Sequence, residues 1–251
     1  MISLKLSSCF IRRHSRTLEI TNYKMTDEMD YYLFSTVKTI KTLTSIRKLK
    51  DEHMTECIYA LSRGIFENYL YLCKINKEEK FFSEKLLPKV DDNYVFATYP
   101  DGRINYKKVI KTTDKDSSAQ YIGIKLFELL KDSEIGLDKD IYNIFYETAC
   151  QYVHVDVLSA KNYFSCVDPY DEIDPSIIAY MIAIALTGMV LGQIAKYRGT
   201  QEQYKEDISH LFENKFKDAL ISCLMIANQD TEHKNDILDL FRERIELESF
   251  D

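Results

Sequence analysis

The run Ser176–Ala195, SIIAYMIAIALTGMVLGQIA, carries no charged residue and decides the fold class of this chain. Asp174 and Pro175 precede the run, and this pair is typical of an N-cap followed by the first turn of a helix. A helix that is apolar on every side lies at the centre of a bundle or across a membrane. Membrane spans commonly have Trp at their ends and a cluster of basic residues on one side. This chain contains no Trp, and the run has no basic cluster at either end. We therefore predict a core helix, with a membrane anchor through residues 176–195 as the alternative.

The overall composition favours an all-α fold. Only 7 Gly and 4 Pro occur among 251 residues, of which 45% are hydrophobic, so the chain can bury a sizeable core and contains few helix breakers. A formal net charge of -7 argues against a broad DNA-binding surface. The six Cys form no C-x-x-C pair, which favours reduced thiols in the cytoplasm over a zinc ribbon or a disulfide framework.

Apolar periodicity continues along the chain without a linker that would divide it. We predict one helical domain over residues 26–251 and an N-terminal arm over residues 1–25. Met1–Leu18 has several basic residues and serines but no acid, a composition typical of mitochondrial transit peptides. A loose arm is our interpretation, and targeting to an organelle is the alternative.

The predicted architecture is a multi-helix bundle with a small β-hairpin insertion near residues 94–110. Pro100 and Gly102 predict the hairpin, because Pro presets a turn and Gly accepts positive φ. The helices predicted for the core are His53–Asn76, Asp138–Asp156 and Pro175–Lys196, and peripheral helices are predicted over residues 26–50, 77–87, 116–130, 201–228 and 232–248. The last of these is predicted to be half-exposed, so that it could hold a partner subunit or a second copy of the chain.

A polar stripe runs along the predicted helix Asp138–Asp156. Tyr142, Tyr146, Cys150 and His154 follow one another at intervals of four residues and therefore share one helical face. Cys and His at this spacing are the residue types of a nucleophile and its base. A core histidine beside a buried thiol produces the same pattern, so the stripe alone does not distinguish catalysis from packing.

A charged pair, Arg63 and Glu67, lies on the otherwise apolar helix His53–Asn76 at an i, i+4 spacing. Because desolvating an unpaired charge is costly, such a pair is either a structural ion pair or part of a functional site. Gly64 beside it would allow a neighbouring backbone to approach closely. We predict that the two helices pack with His154 within hydrogen-bonding or one-water reach of the pair. The candidate catalytic residues are then Arg63, Glu67 and His154, supported by Tyr146, Cys150 and Asp156.

Several common catalytic motifs are absent from the sequence. It contains no Gly-rich phosphate loop, no nucleophile elbow and no His-Glu-x-x-His helix. His154, Asp156 and Glu67 do not have the spacing of a metal site. We therefore predict neither a metal nor a cofactor.

Two segments carry a resemblance to a known family. They are Ala60-Leu-Ser-Arg-Gly-Ile-Phe-Glu-Asn-Tyr-Leu70 and Tyr146-x-x-Ala-Cys-x-x-Val-His154. They resemble an uncharacterised bacterial family of all-helical domains of unknown function, which has an Arg-x-x-x-Glu helix and a later Tyr-x-x-x-Ser-x-x-x-His helix. The resemblance covers about Thr26 to Ala195 and implies a helical fold. It departs at Cys150, where Ser is usual, and a thiol is a poor hydrogen-bond donor.

Such domains resemble, more remotely, the HEPN ribonucleases of prokaryotic defence and toxin systems, which have Arg followed after four to six residues by His on a helix. No Arg precedes His154 at that spacing, whereas Arg47 and His53 have it at a predicted helix end. If Arg63 reaches His154 through space, the resemblance implies metal-independent RNA cleavage. His would then act as general base and Arg would bind the phosphate.

The expected function is that of an intracellular helical protein that binds a partner or a small ligand. By family resemblance its setting is bacterial stress or phage defence. The first alternative is a HEPN-like endoribonuclease, and RNA is expected as a partner only in that case. The second alternative is a protein anchored in a membrane through residues 176–195.

Overall fold

The fold is a bundle of helices around one central helix, with a small sheet at its side. The computed structural model describes residues 25–113, 118–133, 135–153, 174–197, 202–211, 213, 217–229 and 236–247. Within these ranges the chain forms nine α-helices and one three-stranded antiparallel sheet, which confirms the predicted all-α fold with a small hairpin. The predicted N-terminal arm, apart from Met25, lies outside the described residues.

In the described part of the chain, nine α-helices and two π-helical segments build the bundle. The α-helices are α1 (Glu28–Asp51), α2 (Thr55–Lys77), α3 (Leu126–Leu129), α4 (Leu137–Ile141), α5 (Glu147–Val153), α6 (Pro175–Ala195), α7 (Glu202–Leu211), α8 (Asp218–Gln229) and α9 (Asp236–Glu246). A π-helical segment, Tyr142–Tyr146, joins α4 to α5 without a break. A second π-helical segment, Phe82–Leu86, follows α2 and leads into a 3₁₀ turn, Leu87–Lys89.

Helix α6 is the core of the bundle. It packs most extensively against α2, then against α1, and it also contacts α7, α8 and α9. Ala183, Ala185 and Leu186 on α6 are completely buried. The small alanine side chains let neighbouring helices approach α6 closely. By length and composition α6 could also cross a membrane, and 67% of its apolar window is buried inside the protein.

A polar contact joins the α1–α2 loop to the start of α6. Backbone bonds from His53 N–H to the Lys50 carbonyl and from Met54 N–H to the Leu49 carbonyl close the end of α1, and His53 adopts φ 56° there. Its Nδ1 lies 2.5 Å from Oδ2 of Asp174, which is the N-cap of α6. His53 is therefore outside α1 and does not form a helical Arg-His motif with Arg47.

The sheet confirms the predicted hairpin and adds a strand. Strands β1 (Tyr94–Thr98) and β2 (Ile104–Lys111) pair antiparallel, and β3 (Gln120–Tyr121) pairs with the other edge of β2. The predicted helix over residues 116–130 is wrong in its first half, because α3 begins only at Leu126. The amide of Gln120 donates to the carbonyl of Glu84, so tertiary contacts hold this segment extended.

Other described helix boundaries also differ from the prediction. Helix α2 continues to Lys77, and Pro88 lies inside the 3₁₀ turn rather than ending a helix, because the first turn needs no donor from Pro. Within the predicted helix over residues 201–228, the structure describes α7 and α8, and residues 213 and 217 between them are π-helical. The predicted terminal helix ends two residues early, at Glu246. Helix α9 packs inward against α4, α6 and α8, and this packing buries its apolar face.

Candidate functional site

Arg63, Glu67 and Tyr146 form a closed triangle of hydrogen bonds between α2 and the π-helical segment. Nε of Arg63 donates to Oε1 of Glu67 at 2.9 Å and to the hydroxyl of Tyr146 at 3.2 Å. The Tyr146 hydroxyl donates to the same Oε1 at 2.8 Å. The guanidinium also lies over the Tyr146 ring, 5.1 Å from its centroid, a distance at which a cation is attracted to the ring face.

Aromatic packing fixes the position of Tyr146. Phe66 on α2 contacts Phe145 edge-on and Tyr146 at a tilt, with centroid distances of 6.3 and 6.0 Å. The ring of Tyr142 stacks on Tyr146 at 5.0 Å. Tyr142, Phe145 and Tyr146 all lie in the π-helical segment. Its widened turn changes which residues share a face. Single-turn π segments of this kind are frequent at functional sites.

The triangle is half-buried and keeps open hydrogen-bonding groups. The side chains of Arg63 and Glu67 are 22% and 31% exposed, whereas Tyr146 is 7% exposed. All hydrogen bonds that Arg63 makes to described residues come from Nε. Nη1 and Nη2 of Arg63 and Oε2 of Glu67 have no partner in the described part of the chain, and none of these atoms is sealed from solvent.

The site holds Arg63 as a cation and Tyr146 as a neutral phenol. Burial and the hydrogen bond to Glu67 raise the pKa of Tyr146 far above its ordinary value. Burial on its own would lower the pKa of Arg63, but the Tyr146 hydroxyl and the Glu67 charge raise it. A permanent positive charge therefore faces the open side of the triangle.

Cys150 lies beside the triangle but is not an activated nucleophile. Burial raises the pKa of its thiol, although the charge of Arg63 opposes the shift. The neutral thiol is a weaker nucleophile than the thiolate. His154 and Asp156 follow the last described residue of α5, Val153, and lie outside the described residues. The predicted distance from His154 to Arg63 and Glu67 stays a prediction.

Gly64 does not have the role predicted for it. A Cβ atom built on Gly64 would meet no heavy atom within 4 Å. No backbone of the described residues lies close to that position, so the close approach predicted there is wrong for this part of the chain.

A second polar cluster, at Arg244, was not predicted from the sequence. Arg244 on α9 and Asp138 on α4 are both 0% exposed, and Nε of Arg244 donates to Oδ1 of Asp138 at 2.7 Å. The hydroxyl of Tyr69 donates to Oδ2 of Asp138 at 2.5 Å and accepts from Nη2 of Arg244 at 2.9 Å. Ser133 also donates to the Asp138 carboxylate.

One sequence signal pointed to this cluster. Arg244 stands at the position of an apolar stripe, seven residues after Ile237 and three after Phe241, where a core-facing residue is expected. A charged residue on that stripe indicates a buried partner. The sequence does not say which of the 40 acids supplies it.

Metal binding has no support in the described ranges. No group of three or more His, Cys, Asp or Glu side chains there is arranged to hold a metal ion. The triangle of Arg63, Glu67 and Tyr146 can bind a polar group.

Comparisons with known proteins place the chain in a family. Residues 30–172, more than half of the chain, match the sequence profile of a family of unknown function, DUF5677. The matched residues include α2, the π-helical segment and α5, and thus all the described members of the candidate site. No curated protein and no solved structure matches the chain. The resemblance to an uncharacterised helical family is confirmed, and the chain belongs to DUF5677, a family of unknown function.

Proposed function

We propose that this protein is an intracellular helical binding protein and that Arg63 holds an acidic group of its partner or small ligand. One observation carries the proposal. The guanidinium is fixed through Nε and the Tyr146 ring, while Nη1 and Nη2 have no partner among the described residues. An arginine fixed in this way presents a planar pair of donors to a carboxylate or phosphate, with little entropy left to lose.

The neighbouring carboxylate narrows the ligand chemistry. Oε2 of Glu67 is an open acceptor beside the open donors of Arg63. A ligand that carries an acidic group and a hydrogen-bond donor next to it would satisfy both. Glu67 also neutralises the charge of Arg63, which lowers the cost of keeping the cation half-buried.

The protonation states support binding more than covalent catalysis. The raised pKa of Cys150 keeps its thiol protonated near neutral pH, and the raised pKa of Tyr146 keeps its hydroxyl neutral. Neither is prepared for nucleophilic attack. Both can contribute hydrogen bonds and contact area to a bound group.

Titration by NMR tests the proposal directly. Acetate, inorganic phosphate and a glutamate-rich peptide are added to the full chain, and the Nε–H resonances of its arginines are followed. Arg63 is expected to shift saturably with at least one probe, and Arg63→Lys, which keeps the charge but loses the fork, is expected to bind at least tenfold more weakly. Arg103 is the matched control, because it is 79% exposed, forms an ion pair with Asp101 and also lies over the ring of Tyr99, as Arg63 does over Tyr146. If Arg63 shifts no more than Arg103 with every probe, the proposal is wrong.

The second candidate function is metal-independent cleavage of RNA. The open Nη donors of Arg63 support it, because a phosphodiester is also an acidic group that accepts two hydrogen bonds. His154 would act as general base. For both candidates the proposed setting is bacterial stress or phage defence.

An RNA assay distinguishes the two candidates. Labelled single-stranded RNA is incubated with the protein in the presence of a chelator, and the same expression strains are scored for toxicity and phage plaques. Cleavage that is lost in Arg63→Ala and in His154→Ala, with both variants folded by circular dichroism, supports a ribonuclease. No cleavage and no change in toxicity in either folded variant excludes it.

The membrane alternative rests on α6 alone. Its packing against α1, α2, α7, α8 and α9 supports a core helix, because those contacts would be lost in a lipid-facing span. Cell fractionation tests this: recovery without detergent supports the binding protein, and recovery only with detergent supports an anchor through residues 176–195.

A further inference from the structure

A polar cavity lies where the C-terminal ends of α2 and α6 meet. Its volume is about 220 Å³, and Tyr69, Asn76, Lys77, Gln193 and Lys196 contribute to its wall. Neither the sequence motifs nor the proposed Arg63 site includes it. On α2, Asn76 lies about 20 Å along the helix axis from Arg63, at 1.5 Å per residue.

The orientation of the Gln193 amide follows from its neighbours. Nδ2 of Asn76 donates to the backbone carbonyl of Gln193 at 2.9 Å, and a carbonyl can only accept. The same Nδ2 donates to Oε1 of Gln193 at 3.0 Å, while Oδ1 of Asn76 accepts from the Tyr32 hydroxyl. Oε1 of Gln193 must therefore face Asn76, and Nε2 must point the other way.

Nε2 of Gln193 is a donor without an acceptor among the described residues. Gln193 is only 7% exposed, lines the cavity, and has no hydrogen bond from Nε2 to any described residue. Nε2 is not sealed in the core, so its N–H groups reach the cavity. A bound acceptor could therefore take a hydrogen bond from Nε2 that no described protein group supplies.

The charge of the cavity wall indicates the sign of that acceptor. Lys77 and Lys196 lie on the wall, and no described lining residue is an acid. Both lysines also interact with other groups of the chain, and cations at helix C-termini offset the helix dipole. At the C-terminus of α6, the N–H of Lys196 already donates to the carbonyls of Gly192 and Ile194. Fewer carbonyls there are left for the lysine side chains to offset. The described cavity wall therefore combines two lysines with an unused amide donor.

We propose that this cavity is a second binding site, for a small molecule that carries a carboxylate or phosphate group. An anionic oxygen of the ligand accepts from Nε2 of Gln193, and the ammonium groups of Lys77 and Lys196 balance its charge. The volume is below that of typical cofactor and drug sites, about 300–1,000 Å³. The ligand class is therefore a small acid rather than a dinucleotide or a peptide.

Side-chain amide NMR tests the site with acetate and inorganic phosphate as separate probes on the full chain. The Nε2–H₂ resonances of Gln193 are expected to shift saturably with at least one probe, and the two titrations show whether a carboxylate or a phosphate is preferred. Gln193→Glu preserves the acceptor for Asn76 and replaces the donor with a negative charge, so we expect at least tenfold weaker binding. The matched control is Gln120→Glu, on the exposed strand β3, which should bind like the unchanged protein.

A second pair of variants keeps the proposal testable if Gln193→Glu does not fold. Lys196→Gln should weaken binding severalfold, whereas Lys125→Gln, which removes an exposed lysine on the entry to α3, should have no effect. The proposal is wrong if neither probe shifts Gln193 saturably, or if Lys196→Gln and Lys125→Gln bind equally. Weaker binding in Arg63→Lys with unchanged binding in Lys196→Gln would assign the anion to the Arg63 site and overturn this inference alone.

Discussion

Removing Arg244 is the sharpest test of how the C-terminal helix is held. Arg244→Met keeps the length and apolar stem of the side chain but deletes the guanidinium. The Asp138 carboxylate, which is 0% exposed, then loses its cation. It keeps bonds from Tyr69 and Ser133, and neither hydroxyl carries a compensating charge.

The expected loss of stability is large because the carboxylate cannot reach water. Breaking a buried ion pair from one side costs about 3–5 kcal/mol. For a chain of this size that corresponds to a fall in Tm of roughly 6–20 °C. Asp138→Leu should cost a similar amount, because it removes the carboxylate that balances the charge of Arg244, which is 0% exposed.

The double variant should lose much less stability than the sum of the losses in the two single variants. Replacing a whole buried pair with apolar side chains is often neutral or stabilising. Here the hydroxyls of Tyr69 and Ser133 would still lose their acceptor, at about 1–3 kcal/mol each. We expect Arg244→Met combined with Asp138→Leu to be at least about 2 kcal/mol more stable than additivity of the single variants requires.

Urea unfolding followed by circular dichroism at neutral pH measures these differences. The matched control is Arg242→Met, two residues away on α9. Arg242 forms only half-exposed pairs with Asp239, Glu243 and Glu246, and such pairs are worth less than about 1 kcal/mol. Equal losses for Arg244→Met and Arg242→Met, or strict additivity in the double variant, would refute the reasoning.

Three further predictions concern single positions. Gly64→Ala should raise the free energy of unfolding by about 0.5–1 kcal/mol, since the added Cβ meets no atom within 4 Å; a loss of stability in urea would contradict it. Asp174→Ala should lose about 1 kcal/mol through the missing N-cap of α6. Burial alone would raise the pKa of Asp174, but bonds from Ser176 and His53 lower it below its ordinary 3.8, so this contribution is complete above that pH and is lost as the pH falls below it. An acid titration of the unchanged protein and of Asp174→Ala checks this, and identical acid midpoints would contradict it. Cys150 should react with iodoacetamide more slowly than the exposed Cys223, because burial raises the pKa of the Cys150 thiol; peptide mass spectrometry after short labelling compares them, and faster labelling of Cys150 would contradict it.

Part of the candidate site was within reach of sequence reasoning. The i, i+4 spacing of Arg63 and Glu67 predicts their pairing, because helix geometry alone brings such residues together. The spacing of Tyr142, Tyr146 and Cys150 predicts a shared face. Sequence alone could not give the 3.2 Å contact from Arg63 to Tyr146, because it joins residues of two helices whose relative rotation depends on the packing of Phe66 against Phe145 and on the π-helical turn.

Errors in the predicted elements occurred where long-range contacts override local preference. Residues 116–130 read locally as one helix, yet Gln120 and Tyr121 pair with Lys108 and Val109 of β2. Pairing across strands competes with helix formation, and its partners are distant in sequence. The apolar face of α9 was visible in the sequence, but its partners were not.

The sequence by itself determined the helical class, the central helix Pro175–Ala195 and the hairpin turn, since these depend on periodicity, capping and turn residues within a few positions of one another. Only the tertiary structure decided which buried charges meet. Arg244 finds Asp138 across 106 positions of the chain, and Asn76 turns the amide of Gln193 toward the cavity across 117. The physical reason is that a buried polar group must find a partner wherever packing places one, and packing is a property of the whole bundle rather than of any segment.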